Sequence, residues 1–153
     1  MALSNTFDPS TTKNNLSRLE KLSPDTKPLW GKMNAAQMLA HLNVSYDITY
    51  KKTPVNYNFF MKAMLKMFVK KSVVQEKPSY PKNSRTAPVF VIADQRDFDK
   101  EKKQLIKYIG ETEKNGVAFF EGKEHNAFGK MSAAEWSVLF EKHLDHHFNQ
   151  FGI

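Results

Sequence analysis

The sequence contains no cysteine among its 153 residues. This absence excludes disulfides, thiolate ligands to a metal, a cysteine nucleophile and disulfide-based redox chemistry carried by the chain itself. Any metal ion must therefore be held by histidines and carboxylates.

Long apolar runs are also missing. Nowhere do about eighteen uncharged apolar residues follow one another, the length that a helix needs to cross a bilayer. The first ten residues, MALSNTFDPS, have neither the positive start nor the apolar stretch of a secretory signal. We therefore expect a cytoplasmic protein with no membrane span.

Arginine is scarce in a chain that is otherwise basic. The formal net charge is +7 and the sequence pI is about 9.5, yet only Arg18, Arg85 and Arg96 are arginines. A basic protein can attract nucleic acid, anionic membranes or polyanionic small molecules. However, the lysines form no block of five like charges, and base readout usually relies on arginine. We expect a solvated basic surface and no specific nucleic-acid partner.

The residues that are abundant indicate a globular protein. Hydrophobic residues make up 41% and charged residues 25% of the chain, and twelve phenylalanines give bulk to a core. The length is typical of one domain, so we predict a single domain over residues 1–153.

Helix-start signals divide the first half of the chain. Asp8 followed by Pro9 predicts a short first helix that ends near residues 23–24. A capping box, Asn34 with Gln37, opens a second helix to about residue 51. Residues 57–74 have an amphipathic pattern that predicts a third helix with its lysines in water, and a membrane-surface helix is the alternative interpretation.

The second half begins with a proline-rich loop at residues 75–87, and residues 87–94 could be briefly extended. A helix follows, capped by Asp94 or Asp97 and ending at Asn115-Gly116. A second capping box, Ser132 with Glu135, opens the last helix, which reaches Gly152. These signals predict an all-α fold.

The last helix places two histidines on its apolar face. At about 100° per residue, His143 and His147 fall within the face formed by Trp136, Phe140 and Leu144. They are spaced i, i+4, so both ring nitrogens can reach one ion. Burying them without partners would cost roughly 1–3 kcal/mol each, and a shared metal would remove that cost. An alternative is a stacked or water-linked histidine pair.

A third histidine flanks the apolar stripe of the second helix. His41 could turn toward a neighbouring helix and complete a three-histidine site, although a lone histidine there is also typical of a hydrogen-bonded boundary residue. His146 lies further round the last helix and Asp145 points away from the core, so we exclude both as direct ligands.

The segments LWGKMNAAQMLAHL and EWSVLFEKHLDHHFNQFG resemble the DinB/YfiT-like superfamily, and more closely its branch of uncharacterised DinB-like domains. The likeness extends from about Phe7 to Ile153. It implies a four-helix bundle with up-down-down-up topology, here with an extra short N-terminal helix. It also implies a histidine triad, which at matching positions is His41, His143 and His147, the set that the helical faces indicate.

Three neutral histidines with a free coordination position suit a divalent metal, with zinc or nickel expected first. The resemblance also implies a reaction, because relatives in that superfamily include thiol-dependent S-transferases that use low-molecular-weight thiols such as bacillithiol or mycothiol. We therefore predict a metal- and thiol-dependent transferase acting on a small molecule. One alternative is a non-catalytic metal-binding or stress-related protein. Another is a metal-dependent hydrolase, which is less favoured because the sequence offers no inward-facing carboxylate as a base. Apolar helix faces also suit a homodimer.

Five further residues are candidates for lining the site or supporting its ligands. Tyr46 and Trp136 could equally be core aromatics, and Gln150 could hydrogen-bond a histidine. His146 lies at the edge of the last helix. His125, in the loop before that helix, could close over the site or be an ordinary loop histidine. No catalytic residue is assigned.

Overall fold

The computed structural model describes residues 4–153, and within that range the chain is mostly helical. The α-helices are α1 (Pro9–Glu20), α2 (Ala35–Thr49), α3 (Phe59–Phe68), α4 (Lys70–Val74), α5 (Phe98–Phe120) and α6 (Ala133–Gln150). A 3₁₀ turn covers Pro88–Phe90, and strands β1 (Glu124–His125) and β2 (Gly129–Lys130) pair antiparallel. The predicted all-α class is confirmed, apart from this short hairpin.

Local capping fixes the starts of the long helices. Both predicted capping boxes are present: Asn34 with Gln37 at α2, and Ser132 with Glu135 at α6. Asp8 accepts a hydrogen bond from the backbone N–H of Ser10 at α1, with proline in the first turn. These side chains satisfy backbone N–H groups that have no partner inside the helix.

The third predicted helix is divided in two. The hydroxyl of Ser72 donates to the carbonyl of Val69, where α3 gives way to α4. Such local bonds compete with the regular helical pattern. Phe60 and Phe68 on α3 are 77% and 73% exposed, so only one edge of the apolar face of α3 is covered by the rest of the described chain.

Two local details differ from expectation or refine it. Residues Pro88–Phe90 form a 3₁₀ turn rather than an extended segment, because proline favours the first position of such a turn. Within α5, Gly116 has φ +67°, which kinks the helix at the predicted stop before one further turn.

The core lies between α2, α5 and α6, with α1 packed beside α5. Tyr46 of α2 stacks between Tyr108 of α5 and Phe140 of α6, with ring centroids at 5.2 and 4.6 Å. This packing holds α2 and α6 side by side, which positions their histidines. No helix in residues 4–153 is long and apolar enough to cross a membrane.

Candidate metal centre

Three histidines meet between α2 and α6. His41 comes from α2, and His143 and His147 lie one turn apart on α6. Their ring nitrogens, one from each residue, all lie within 4.8 Å of one another, and the ring centroids are 4.6–4.9 Å apart. The structure therefore brings together the three residues that the sequence indicated as metal ligands.

Hydrogen bonds determine which nitrogen of His41 and of His147 is free. The Nδ1 of His41 lies 2.8 Å from the carbonyl oxygen of Phe90, and the Nδ1 of His147 lies 2.7 Å from Oε1 of Gln150. Both oxygens can only accept, so each Nδ1 must carry the proton. The Nε2 of each ring is left with a lone pair, which is the form that a metal binds.

His143 can adopt either tautomer. Its Nε2 lies 2.9 Å from Nε2 of His41, and its Nδ1 lies 2.8 Å from the hydroxyl of Ser45. Because a hydroxyl both donates and accepts, Ser45 can support a proton on Nε2 of His143 or on Nδ1. With the proton on Nδ1, two lone pairs face each other across 2.9 Å, an arrangement that a cation would stabilise.

The donor set fits a divalent ion such as zinc. Nitrogens at about 2.1 Å from one zinc ion lie about 3.4 Å apart in tetrahedral geometry. The observed separations are of this size: 2.9 Å between Nε2 of His41 and Nε2 of His143, and no more than 4.8 Å between any two of the three ligand atoms. Three neutral imidazoles without carboxylate or thiolate would leave the full double charge of the ion in place.

Burial keeps these imidazoles neutral. Together with a smaller contribution from the neighbouring His41, it lowers the pKa of His147 to about 3. Burial also lowers the pKa of His143 well below its usual value and lowers that of His41, whose bond to Phe90 acts in the opposite direction. Deprotonated nitrogens are therefore available at neutral pH without competition from protons.

A cavity of about 580 Å³ lies beside the three rings. Its wall includes all three histidines with Ser45, His146 and Gln150. Another side is covered by apolar residues of α3, of α4 and of the junction between them, namely Leu65, Val73 and Val69. The buried Lys142 of α6 holds this cover in place by donating to the backbone carbonyls of Ser72 and Gln75. A small molecule therefore has room next to the histidines.

Comparison with known proteins gives a family but no function. The family model DUF1569, described as "Protein of unknown function", matches residues 6–152. The chain belongs to this family. Neither the curated proteins nor the solved structures contain a significant match.

Gln150 supports the site through the Trp30-Gly31 segment of this DUF1569 chain. Its Nε2 donates to the carbonyl of Trp30 at 2.7 Å, which turns Oε1 toward His147. Gly31 has φ +84°, and a Cβ there would lie 2.6 Å from Nε2 of Gln150. A side chain at Gly31 would therefore push away the amide that orients His147.

The other predicted lining residues divide into two groups. His146 lies on the cavity wall, where its ring contacts those of Trp30 and Tyr80. Tyr46 and Trp136 do not lie on that wall, because both are buried in the aromatic core against Phe140. The structure therefore places both residues in the core, which was the alternative interpretation, and not on the cavity wall.

Sequence reasoning missed Ser45 and the carbonyl of Phe90. Ser45 lies four residues after His41 on α2, so helical spacing could have found it as a polar neighbour on the same face. Phe90 had no such signal, because its backbone carbonyl reaches His41 only through the fold of the loop.

His125 of the DUF1569 chain lies at the hairpin end of the cavity rather than with the triad. Its ring stacks on that of Phe128 at 4.5 Å, and its Nδ1 accepts a hydrogen bond from the backbone N–H of Ala127. An accepting Nδ1 carries no proton. Burial, with a smaller contribution from Lys70, lowers the pKa of His125 to about 4.

This lowered pKa predicts acid destabilisation. His125 has a pKa near 6.5 in the unfolded chain and about 4 in the folded chain. The unfolded chain therefore binds this proton more readily, so the free energy of unfolding is highest above pH 6.5 and falls as the pH falls toward 4. The size of this fall is on the order of 2–3 kcal/mol. In His125→Asn the amide can still accept from Ala127 without titrating. Urea unfolding of metal-free protein should therefore lose less stability between pH 6.5 and 4 in the variant. Parallel pH profiles for the two proteins would contradict the assignment.

Proposed function

We propose that this protein is a metal-binding member of the DinB/YfiT-like superfamily, with the up-down-down-up four-helix bundle of that group. His41, His143 and His147 would hold one divalent ion, zinc or nickel. The protein would act as a thiol-dependent transferase that joins a low-molecular-weight thiol to a small electrophile.

The observation that carries the proposal is the convergence of three neutral imidazole nitrogens at the wall of a cavity. The nitrogens lie within 4.8 Å of one another, and the adjoining space is about 580 Å³. A purely structural metal site is normally closed by four protein ligands, whereas catalytic sites keep a position for water or substrate. Three histidines beside open space therefore favour an enzyme.

The neighbours of the ligands have defined roles in this proposal. The carbonyl of Phe90 and the amide of Gln150 would orient His41 and His147 and keep a lone pair on each Nε2. Ser45 would let His143 exchange the proton between its two nitrogens as the ion binds. Such contacts commonly change metal affinity by about ten- to a hundred-fold.

When bound, the ion would lower the pKa of a thiol that it ligates, so that the thiolate forms at neutral pH. In the overall reaction a sulfur–carbon bond forms and the bond from that carbon to its leaving group breaks. The leaving group departs with the bonding electrons, and the thiol proton passes to solvent or to the leaving group. The apolar cavity wall at Leu65, Val69 and Val73 would hold the electrophile and exclude water.

The proposal predicts thiol transfer that depends on both the metal and the triad. Protein purified without a His-tag is loaded with zinc or nickel and mixed with bacillithiol, mycothiol or glutathione and a chromogenic alkylating electrophile. We expect rates at least about a hundred-fold above the metal-free protein, the scale that one positioned catalytic group supplies. Stopped-flow absorbance measures the rate.

The control is His41→Ala supplied with the same total metal and checked by circular dichroism for an unchanged fold. It should react no faster than free thiol with the same total metal. Absence of acceleration with every thiol, in protein that contains the metal, would refute the transferase and leave a non-catalytic metal-binding protein.

Metal-dependent hydrolysis is the weaker alternative. It requires a base beside the ion, and among the residues of 4–153 that line the cavity there is neither Asp nor Glu. The acidic residues of α6 have other partners: Glu135 bonds Ser132 and Lys70, Glu141 accepts from Asn15, and Asp145 pairs with Arg18.

Three further expectations accompany this proposal. A cytoplasmic location, the lack of a specific nucleic-acid partner and a homodimer all stay predictions. For a dimer, α3 offers the exposed apolar side chains Phe60, Met67 and Phe68. Size-exclusion chromatography with light scattering measures the oligomeric state.

A further inference from the structure

One rim of the cavity is basic. Two segments meet there, residues 30–33 and 82–87, and the Oδ1 of Asn83 lies 3.7 Å from a Cβ built on Gly31. Lys32 and Arg85 both line the cavity at these segments. Lys82 lies beside them with its Nζ 4.5 Å from the centre of the Trp30 ring. We call Lys32, Lys82 and Arg85 the basic rim.

Among residues 4–153, no carboxylate neutralises the basic rim from within the cavity. Neither Lys32 nor Arg85 forms a salt bridge within residues 4–153, and the described cavity wall contains no Asp or Glu. The remaining wall is mainly apolar and aromatic. A cavity of this kind attracts anions and rejects cations, because a cation would meet like charges without a partner.

The basic rim and the histidines belong to one continuous space. The Trp30 ring, which carries Lys82 on one face, lies 5.9 Å from the His146 ring. The His146 ring in turn lies 4.9 Å from that of His147. One molecule can therefore contact the basic rim and the triad together.

We propose that the cavity selects an organic anion: a molecule whose single acidic group lies at the basic rim and whose apolar body packs against α3 and α4. Naming this molecule the substrate rests on the proposed transferase. The binding preference itself does not, since Lys32 and Arg85 are separate from the three histidines. The acidic group would accept hydrogen bonds from the guanidinium of Arg85 and the ammonium of Lys32. The apolar body would lie against Leu65, Val69 and Val73.

Isothermal titration of metal-free protein tests the preference directly. The probes are octanoate, octan-1-ol and octyltrimethylammonium, which share one alkyl chain and differ in charge. We expect octanoate to bind one site per chain, about ten-fold or more tighter than octanol, since one charge-assisted hydrogen bond supplies that factor. The cation should bind weakest. Equal affinities for all three probes, or no binding of octanoate, would overturn the proposal.

A pair of double variants separates local recognition from overall charge. Lys32→Gln with Arg85→Gln should remove the preference for octanoate and leave the affinity for octanol unchanged. Lys103→Gln with Lys107→Gln removes the same net charge from exposed positions on α5 and should retain the preference. Equal loss in both doubles would show that only the net charge matters and would refute a binding site. Because the titration uses no metal and no thiol, its failure is distinct from failure of the transferase.

Discussion

His147→Ala should abolish stable metal binding. Wild-type protein reconstituted with zinc and dialysed should retain about one ion per chain, and the variant close to none. The ring nitrogens of the triad lie within 4.8 Å of one another, so removing one leaves two ligands where zinc needs at least three from the protein. Loss of a direct ligand should exceed the ten- to hundred-fold effect typical of supporting residues, so we expect at least about a hundred-fold weaker affinity. Plasma emission spectrometry measures the metal, and competition with a chromogenic chelator the affinity.

The neighbouring histidine is the matched control. His146 lies on the same helix and the same cavity wall, but its nitrogens are not part of the triad. His146→Ala should therefore keep one ion per chain. Gln150→Ala should fall between the two, because it removes only the acceptor that orients His147. Equal metal content in all three variants, or near-zero metal in wild type, would refute the centre.

The triad could be predicted because the information is local and periodic. The i, i+4 spacing of His143 and His147 within an apolar face is readable from one helix. His41 flanks the apolar stripe of another helix, at the position that the resemblance to DinB-like domains also implies. The helix starts are local as well, since each capping box joins residues three apart, such as Asn34 and Gln37. Short-range rules were therefore enough for α2 and α6, the two helices that carry the histidines.

The support of the site could not be predicted in the same way. The carbonyl of Phe90 reaches His41 from a loop 49 residues away, and that of Trp30 reaches Gln150 across 120 residues. Both are backbone groups, so no residue type marks them. The position of α4 depends on contacts of this kind too, because Lys142 donates to the backbone carbonyls of Ser72 and Gln75, 70 and 67 residues away.

Tyr46 and Trp136 show the limit of argument from a shared helical stripe. Both lie on the helices of the triad, within one or two turns of a histidine, and both were candidates for the site. In the structure their rings face other aromatics instead. A helical stripe identifies the inward side of a helix. Packing then decides whether a residue at a given position along that stripe contacts a cavity or another side chain.

Because Trp136 packs in the core and not at the cavity, Trp136→Ala should strongly lower the stability of the fold and leave the metal stoichiometry unchanged. Trp136 is 0% exposed, and its ring centroid lies 5.7 Å from those of Phe120 and Phe140. Truncation removes this packing and leaves a cavity, so the free energy of unfolding should fall by about 3–5 kcal/mol. Urea denaturation of the metal-free protein measures the change.

The exposed Phe60 is the control for this substitution. Phe60→Ala removes an aromatic ring that is 77% exposed and should change the free energy of unfolding by less than about 0.5 kcal/mol. At low temperature and without denaturant, folded Trp136→Ala should still bind one zinc ion, because Trp136 does not line the cavity. If the variant had normal stability but weakened metal binding, Trp136 would instead be part of the metal site. Stability and metal content thus distinguish an aromatic that holds α6 in place from one that touches the chemistry.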